Sequence, residues 1–99
     1  MSVEGKWQLT TDSPLGKQRL QLDLQTAGDR VTGTVTNLDN GLTTEVLDGA
    51  VSGADLHWKM KMSKFNVTLT FTTVVDKNTI AGTVKAGMFG SFPVSGVRE

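Results

Sequence analysis

The sequence contains no cysteine among its 99 residues, which excludes disulfide bonds, cysteine nucleophiles and cysteine metal sites. Tyrosine is also absent, proline occurs twice and histidine occurs once. Lys and Arg together number 10, as do Asp and Glu, so the chain lacks the long-range field that attracts nucleic acid or acidic lipid. These absences predict a domain held together by packing alone, without a nucleic-acid partner.

No apolar run approaches membrane-spanning length, and the first residues lead into patterned sequence without the apolar stretch of a signal peptide. We therefore expect no membrane insertion and a cytoplasmic location, which the lack of cysteine also fits. The length suits one domain with one core, and we assign residues 1–99 to it.

Apolar residues recur at every second position along much of the chain, as in strands with one buried and one exposed face. The clearest segments contain Leu20, Leu22 and Leu24, then Val31 and Val35, then Leu56, Trp58, Met60 and Met62, then Phe65, Val67, Leu69 and Phe71. Weaker segments cover residues 6–11, 42–51, 79–85 and 91–98. Gly, Asn and Asp, which favour tight turns, separate these segments.

No segment has a helical stripe long enough to cover a sheet, so the apolar faces of the strands must pack on each other in a barrel or a sandwich. A repeated sequence segment favours the barrel over the sandwich. Residues 29–35 read Asp-Arg-Val-Thr-Gly-Thr-Val, and residues 78–84 read Asn-Thr-Ile-Ala-Gly-Thr-Val. Two similar halves of four strands each predict an all-β fold, a single eight-stranded antiparallel up-and-down β-barrel whose first and last strands pair.

Two positions resemble the signature of the calycins, which include lipocalins, fatty-acid-binding proteins and avidins. Gly5, Lys6 and Trp7 form a Gly-x-Trp motif on the first strand, and Arg98 ends the last strand. The resemblance implies that Arg98 packs over the indole of Trp7 in a structural role. Counting strand directions independently places both residues at the same end of the barrel, where a cation over an indole is favourable.

The chain also resembles small bacterial domains that begin near a Gly-x-Trp motif, carry repeated Gly-Thr segments and end in a run like residues 87–98. It lacks the Thr-Asp-Tyr motif of lipocalins. Because it contains no tyrosine, it also lacks the Arg-x-Tyr clamp of fatty-acid-binding proteins and the tyrosine of avidin-type biotin sites. These departures argue against biotin and simple fatty-acid carriage.

Flexible and aromatic apolar residues gather at the end opposite Trp7, where we predict longer connections around Pro14, Asn40, Ser63 and residues 87–90. Methionine adapts its shape to varied apolar partners. Small barrels hold either side chains or one small ligand, so a filled core and a pocket are equally open. We predict that a small, largely apolar molecule binds at this wide mouth. The predicted ligand-binding residues are Val35, Asn37, Thr44, Trp58, Met60, Met62, Phe65, Met88 and Phe92, with Asn37 or Thr44 supplying a polar contact.

Two other functions stay open at this point, although we expect binding rather than catalysis. A cofactor-free enzyme of the isomerase or cyclase type needs an inward ionisable group, and only Glu45 and Asp48 lie on a strand of ambiguous alternation. A structural module, such as a homo-oligomer, would use the Met and Phe residues of the mouth against a partner chain. We expect no cofactor and no metal, because one outward histidine, His57, does not provide several convergent ligands.

Overall fold

The computed structural model describes residues 3–13, 16–39, 41–62, 67–87 and 90–99. These residues form nine β-strands, and the pairings between them are antiparallel. The strands are β1 (Gly5–Ser13), β2 (Gly16–Ala27), β3 (Arg30–Asn37), β4 (Thr43–Glu45), β5 (Leu47–Ser52), β6 (Asp55–Met62), β7 (Val67–Asp76), β8 (Thr79–Lys85) and β9 (Ser91–Arg98). The described part of the chain contains no helix of the length and apolarity needed to cross a membrane.

Eight of the strands close into a barrel. β1 pairs with β2 on one side and with β9 on the other, and the ring continues from β2 through β3, β5, β6, β7 and β8 to β9. Trp7 lies opposite Arg98, and Thr11 lies opposite Val94, in the pairing of the first and last strands. The predicted eight-stranded antiparallel up-and-down barrel is therefore confirmed.

The segment predicted as one strand over residues 42–51 is divided into two strands, which is a correction to the sequence analysis. β4 pairs with residues 34–36 of β3 and lies outside the ring, whereas β5 pairs with residues 30–31 and continues the ring. The register with β6 shifts between Leu47 and Ala50, where Asp48 has a positive φ of 49°. A local irregularity of this kind bends a strand and changes the direction of its side chains.

Alternate residues of the strands point inward and form the core. The largest fully buried side chains are Trp7, Trp58, Phe71, Leu9, Leu22, Leu24, Leu56 and Ile80. Burial of one large apolar side chain is worth about 1.5–3 kcal/mol. Between them the strands carry mostly exposed Thr, Lys, Gln and Asp side chains, so the wet and buried faces follow the alternation that the sequence shows.

Two glycines of the repeated segments lie where neighbouring strands come closest. Gly33 on β3 and Gly82 on β8 occupy equivalent places in these segments. A Cβ atom at Gly82 would lie 2.0 Å from the backbone oxygen of Thr72, and one at Gly33 would lie 1.9 Å from that of Asp23. Neither place has room for a methyl group, so glycine allows the strands to curve tightly around the core.

The end of the barrel at Trp7, called the floor below, is closed by the chain that precedes β1. The Nε1–H of Trp7 donates to the backbone oxygen of Val3 at 3.0 Å, and both residues are buried. The guanidinium carbon of Arg98 lies 4.2 Å from the centre of the Trp7 ring, and Nη1 of Arg98 donates to the backbone oxygen of Glu4 at 2.6 Å. The predicted contact between Trp7 and Arg98 is present.

Candidate functional site

The two ends of the barrel differ in how the chain connects the strands. At the floor, β2 and β3, β5 and β6, and β7 and β8 are each joined by two residues. At the opposite end, the mouth, five residues join Asn37 to Thr43 and five join Lys85 to Ser91. β1 and β2 extend to a pair between Ser13 and Gly16, and the loop predicted around Pro14 lies outside the described residues.

Six of the nine predicted ligand-binding residues have described side chains, and all six occupy inward positions of their strands. Three are buried and three are half-buried: Val35, Trp58 and Met60, then Asn37, Thr44 and Phe92. Val35 pairs with Thr44 across β3 and β4. The side chain of Met62, together with Phe65 and Met88, lies outside the described residues.

A row of aromatic and apolar side chains crosses four neighbouring strands. Trp58 pairs with Phe71, Phe71 with Val84, and Val84 with Phe92. The rings of Trp58 and Phe71 are stacked, with centroids 4.6 Å apart and an interplanar angle of 7°. Phe71 is absent from the residues predicted above, although its inward position in the alternation of β7 carries the signal that identifies it.

Apolar side chains near the mouth are less covered than their counterparts at the floor. Val67, Leu69 and Phe92 are half-buried at inward positions close to the mouth. At the floor, inward side chains such as Leu24 and Ile80 are fully buried. The mouth therefore presents inward apolar surface that an apolar molecule would remove from water.

Among the described residues, two buried polar side-chain atoms have no hydrogen-bond partner, Thr44 Oγ1 and Trp58 Nε1. They belong to β4 and β6, two strands that contact each other. Equivalent groups elsewhere in the barrel are paired, because Trp7 Nε1 donates to Val3 and Thr73 Oγ1 donates to the backbone oxygen of Leu56 at 2.8 Å. An unpaired buried polar group costs about 1–3 kcal/mol, so a ligand atom that pairs with it gains a bond without breaking one in the protein.

Thr44→Val is expected to leave the free energy of unfolding unchanged or to raise it by up to about 1 kcal/mol. Valine keeps the shape of threonine and removes a hydroxyl that has no partner. Thr73→Val is the matched control and should lower the free energy by about 1 kcal/mol, because the hydrogen bond from its hydroxyl to the backbone oxygen of Leu56 is lost. Thermal unfolding followed by circular dichroism measures both. A larger loss for Thr44→Val than for Thr73→Val would contradict the description of the Thr44 hydroxyl as unpaired.

Two further polar side chains face inward at the mouth and were not among the predicted residues. Thr11 continues the inward series of β1, and Gln18 begins the inward series of β2. They lie opposite each other in the pairing of the two strands, Thr11 buried and Gln18 half-buried. The alternation of both strands carries this signal once the strands are extended toward residues 13 and 16.

The side chain of Asn37 takes part in the loop that follows it. Its Oδ1 accepts a hydrogen bond from the backbone N–H of Asp39 at 2.8 Å. The backbone N–H of Asn37 donates to the oxygen of Leu42 at 2.8 Å, and that of Gly41 donates to the oxygen of Asn37 at 2.7 Å. Of the two predicted polar contacts, Thr44 therefore offers the buried hydroxyl, while Asn37 shapes the rim of the mouth.

The carboxylates that the enzymatic hypothesis requires face solvent. Glu45 and Asp48 are both exposed, and Asp48 Oδ2 lies 3.9 Å from the Nζ of Lys59 on the outer wall. The hypothesis that either points inward is wrong, because Glu45 lies between the inward Thr44 and Val46 and Asp48 sits at the break in alternation. His57 is exposed, as predicted. In the residues that the structure describes, no three His, Asp or Glu side chains are grouped so that they could hold a metal ion.

A concave surface lies on the outer wall of the barrel. A groove of about 390 Å3 is lined by Asp23, Gln25, Thr32, Gly33, Thr34, Glu45 and Val46. Asp23, Thr34 and Glu45 lie side by side on β2, β3 and β4, and their side chains are exposed. Neither buried unpaired atom belongs to a residue of this groove, so we place the candidate site at the mouth.

Comparison with known proteins supports the fold. Neither a protein-family model nor a curated protein matches the chain. A solved structure with a similar fold is described as the de novo design of a fluorescence-activating β-barrel. The two chains are 16% identical and superpose with a TM-score of 0.67, covering 97% of this chain and 93% of that chain. At this identity the likeness concerns the barrel fold alone.

Proposed function

We propose that the protein binds a small, largely apolar molecule at the mouth of the barrel. The contrast between the two ends carries the proposal. The floor is closed by Trp7, Arg98 and the backbone of Val3, whereas inward apolar side chains at the mouth remain partly exposed. Leu38 and Leu42, on the loop between β3 and β4, are 39% and 58% exposed and add apolar surface at this end of the barrel. Small-molecule sites are typically concave and apolar with few polar groups.

The similar designed barrel is described as fluorescence-activating, which we interpret as an action on a small molecule. The two chains cover each other almost completely. A barrel of this size is therefore compatible with binding of a small molecule. The proposed ligand chemistry is inferred from the side chains of this protein, because the designed barrel shares few of them.

The expected affinity can be estimated from the apolar area that a small ligand buries. A ligand that buries a few hundred Å2 of apolar area at about 25 cal/mol per Å2 gains several kcal/mol. Part of that gain is offset by the lost freedom of the ligand, which leaves affinity on the order of micromolar. The enzymatic alternative loses its candidate groups, since Glu45 and Asp48 face outward.

We further propose that the barrel is calycin-like. The contact of Arg98 with Trp7, two residues after Gly5, supports this, since the resemblance implies that arrangement. The calycin-like arrangement at the floor does not indicate which ligand binds at the mouth. A homo-oligomer and a cytoplasmic location remain predictions.

Met60→Trp is expected to weaken binding of an environment-sensitive naphthalene dye by at least about tenfold. Met60 is inward and buried near the mouth, so a larger side chain there takes the space of the dye. Lys61→Trp is the matched control, because Lys61 is the adjacent outward residue of the same strand, and its affinity should stay within about twofold of the parent. Fluorescence titration measures both variants.

Phe92→Ala provides a second test that does not add volume to the core. Phe92 is half-buried at the mouth end of β9, and its loss removes wall surface from the dye, so the affinity should again fall. Circular dichroism confirms that each variant is folded. Dye that does not saturate the parent, or that binds Met60→Trp and Phe92→Ala as tightly as the parent, would reject the mouth as the site.

A further inference from the structure

The two tryptophans of the chain differ in one respect that folding does not explain. Both are buried inside the barrel, Trp7 fully and Trp58 to 99%. The Nε1–H of Trp7 donates to the backbone of Val3, whereas that of Trp58 has no acceptor in the part of the chain that the structure describes. A phenylalanine at position 58 would keep an aromatic ring beside Phe71 without burying an unpaired donor. The described residues therefore leave the Nε1–H of Trp58 free to donate to a bound molecule.

The chemistry of the indole limits the atom that can pair with it. The Nε1–H of tryptophan is a donor only, so its partner must be an acceptor. One face of the Trp58 ring is covered by Phe71, with the ring centroids 4.6 Å apart, and a hydrogen bond to Nε1 would form in the plane of the indole at its edge. The Thr44 hydroxyl, on the contacting strand β4, is a second buried group that can donate.

The distribution of charge indicates that the acceptor is neutral. Every described Lys is exposed, as are Arg19 and Arg30. Arg98 lies over Trp7 at the floor. A carboxylate inside the barrel would lose its hydration without gaining a paired cation from the described residues, which is costly. A carbonyl oxygen accepts the same hydrogen bonds at a much smaller desolvation cost.

We propose that the molecule bound at the mouth is an uncharged, largely apolar ketone or ester whose carbonyl oxygen accepts a hydrogen bond from Trp58 Nε1. The inference rests on the proposed function and names the ligand class of the same site. The apolar wall, which includes Val35, Met60 and Phe92, covers the hydrocarbon part of the ligand. The Trp58 donor, with the Thr44 hydroxyl as a second donor, fixes its orientation.

The test compares 9-fluorenone with fluorene, which have the same tricyclic shape and differ by one carbonyl oxygen. Each competes with the naphthalene dye for the parent protein. Fluorene is the more apolar of the two, so burial alone favours it. The carbonyl hydrogen bond should reverse this order, and we expect fluorenone to bind about fivefold more tightly or better.

Variants of the two proposed donors show how much each contributes to the preference for fluorenone over fluorene. In Trp58→Phe the preference for fluorenone should decrease, and by more than in Thr44→Val, because Trp58 is the proposed main donor and Thr44 the second one. Trp7→Phe is the matched control, because it removes the other indole and should keep the preference. If fluorene binds the parent as tightly as fluorenone while the dye still binds, the acceptor inference is overturned and the site stands. If the dye itself does not bind, the proposed function fails.

An infrared measurement on the parent protein covers the case in which Trp58→Phe does not fold. A hydrogen bond to the carbonyl lowers its stretching frequency, so bound fluorenone should absorb at a lower wavenumber than fluorenone in hexane. An undiminished preference in folded Trp58→Phe, or a carbonyl band that matches the one in hexane, would overturn the assignment of Trp58 as the donor.

Discussion

The Gly82→Ala variant is expected to unfold at a temperature about 15 °C below the parent, a loss of about 3 kcal/mol or more. The added Cβ would lie 2.0 Å from the backbone oxygen of Thr72 and 2.6 Å from the Cα of Thr73. Both atoms belong to the backbone of β7, which is held by its pairing with β6 and β8. Relief therefore requires that two strands separate. Thermal unfolding followed by circular dichroism measures the change.

Gly53→Ala is the control for the loss of a glycine without a clash. Gly53 lies in the turn between β5 and β6 with a φ of 59°, and a Cβ there would have no atom within 4 Å. Only the strain of a positive φ remains, which costs about 1 kcal/mol. If Gly82→Ala lowers the free energy of unfolding no more than Gly53→Ala does, the close approach of β7 and β8 is not the reason that position 82 requires glycine.

Replacement of Trp7 by Ala is expected to lower the free energy of unfolding by about 4 kcal/mol. The variant loses the largest side chain of the floor, which is fully buried. It also removes the donor to the oxygen of Val3 and the ring beneath Arg98. Urea unfolding measured by circular dichroism avoids dependence on the fluorescence of the removed indole.

A comparison of two conservative variants separates polar contacts from lost volume. Trp7→Phe removes an indole with a partner, whereas Trp58→Phe removes an indole without one. The volume change is the same in both, so Trp7→Phe should be less stable than Trp58→Phe by about 1–2 kcal/mol. Equal stabilities would indicate that the contacts at the floor contribute little to folding.

The main features of the barrel follow from local patterns in the sequence. Alternation gives the inward face of each strand, and counting strand directions places Trp7 and Arg98 at the same end. The repeated Gly-Thr segments mark the equivalent strands β3 and β8, although the reason for their glycines, contact with a neighbouring backbone, needs the folded structure. Patterns of period two predict such features because burial acts on each strand separately.

The division of residues 42–51 could not be predicted in the same way. β4 and β5 both pair with β3. The chain separates them because only β5 continues the ring, and the positive φ of Asp48 marks the irregularity within β5. Asp48 lies at this irregularity, and Glu45 faces outward because β4 pairs it with the exposed Thr34, so the enzymatic hypothesis could not be decided before the register of both strands was known. A tertiary constraint determined the local conformation there, as it does for β-bulges in general.

The candidate site was predicted in part for a related reason. Alternation identified Trp58, Met60 and Val35 as inward, and the rule that places them there also applies to Thr11 and Gln18. The pairing of a polar atom depends on contacts between distant segments. Trp7 and Trp58 both occupy inward positions in the sequence, and only the structure shows that Val3 reaches one of them.

The indole N–H resonances of 15N-labelled protein test the central claim most directly. The chain has two tryptophans, so the spectrum contains two indole cross-peaks, and Trp7→Phe assigns them. The account predicts that saturating fluorenone moves the Trp58 proton downfield, as a new hydrogen bond requires, while the Trp7 peak keeps its position. Two unchanged peaks at saturation, or movement of the Trp7 peak alone, would contradict a ligand held at the mouth by Trp58.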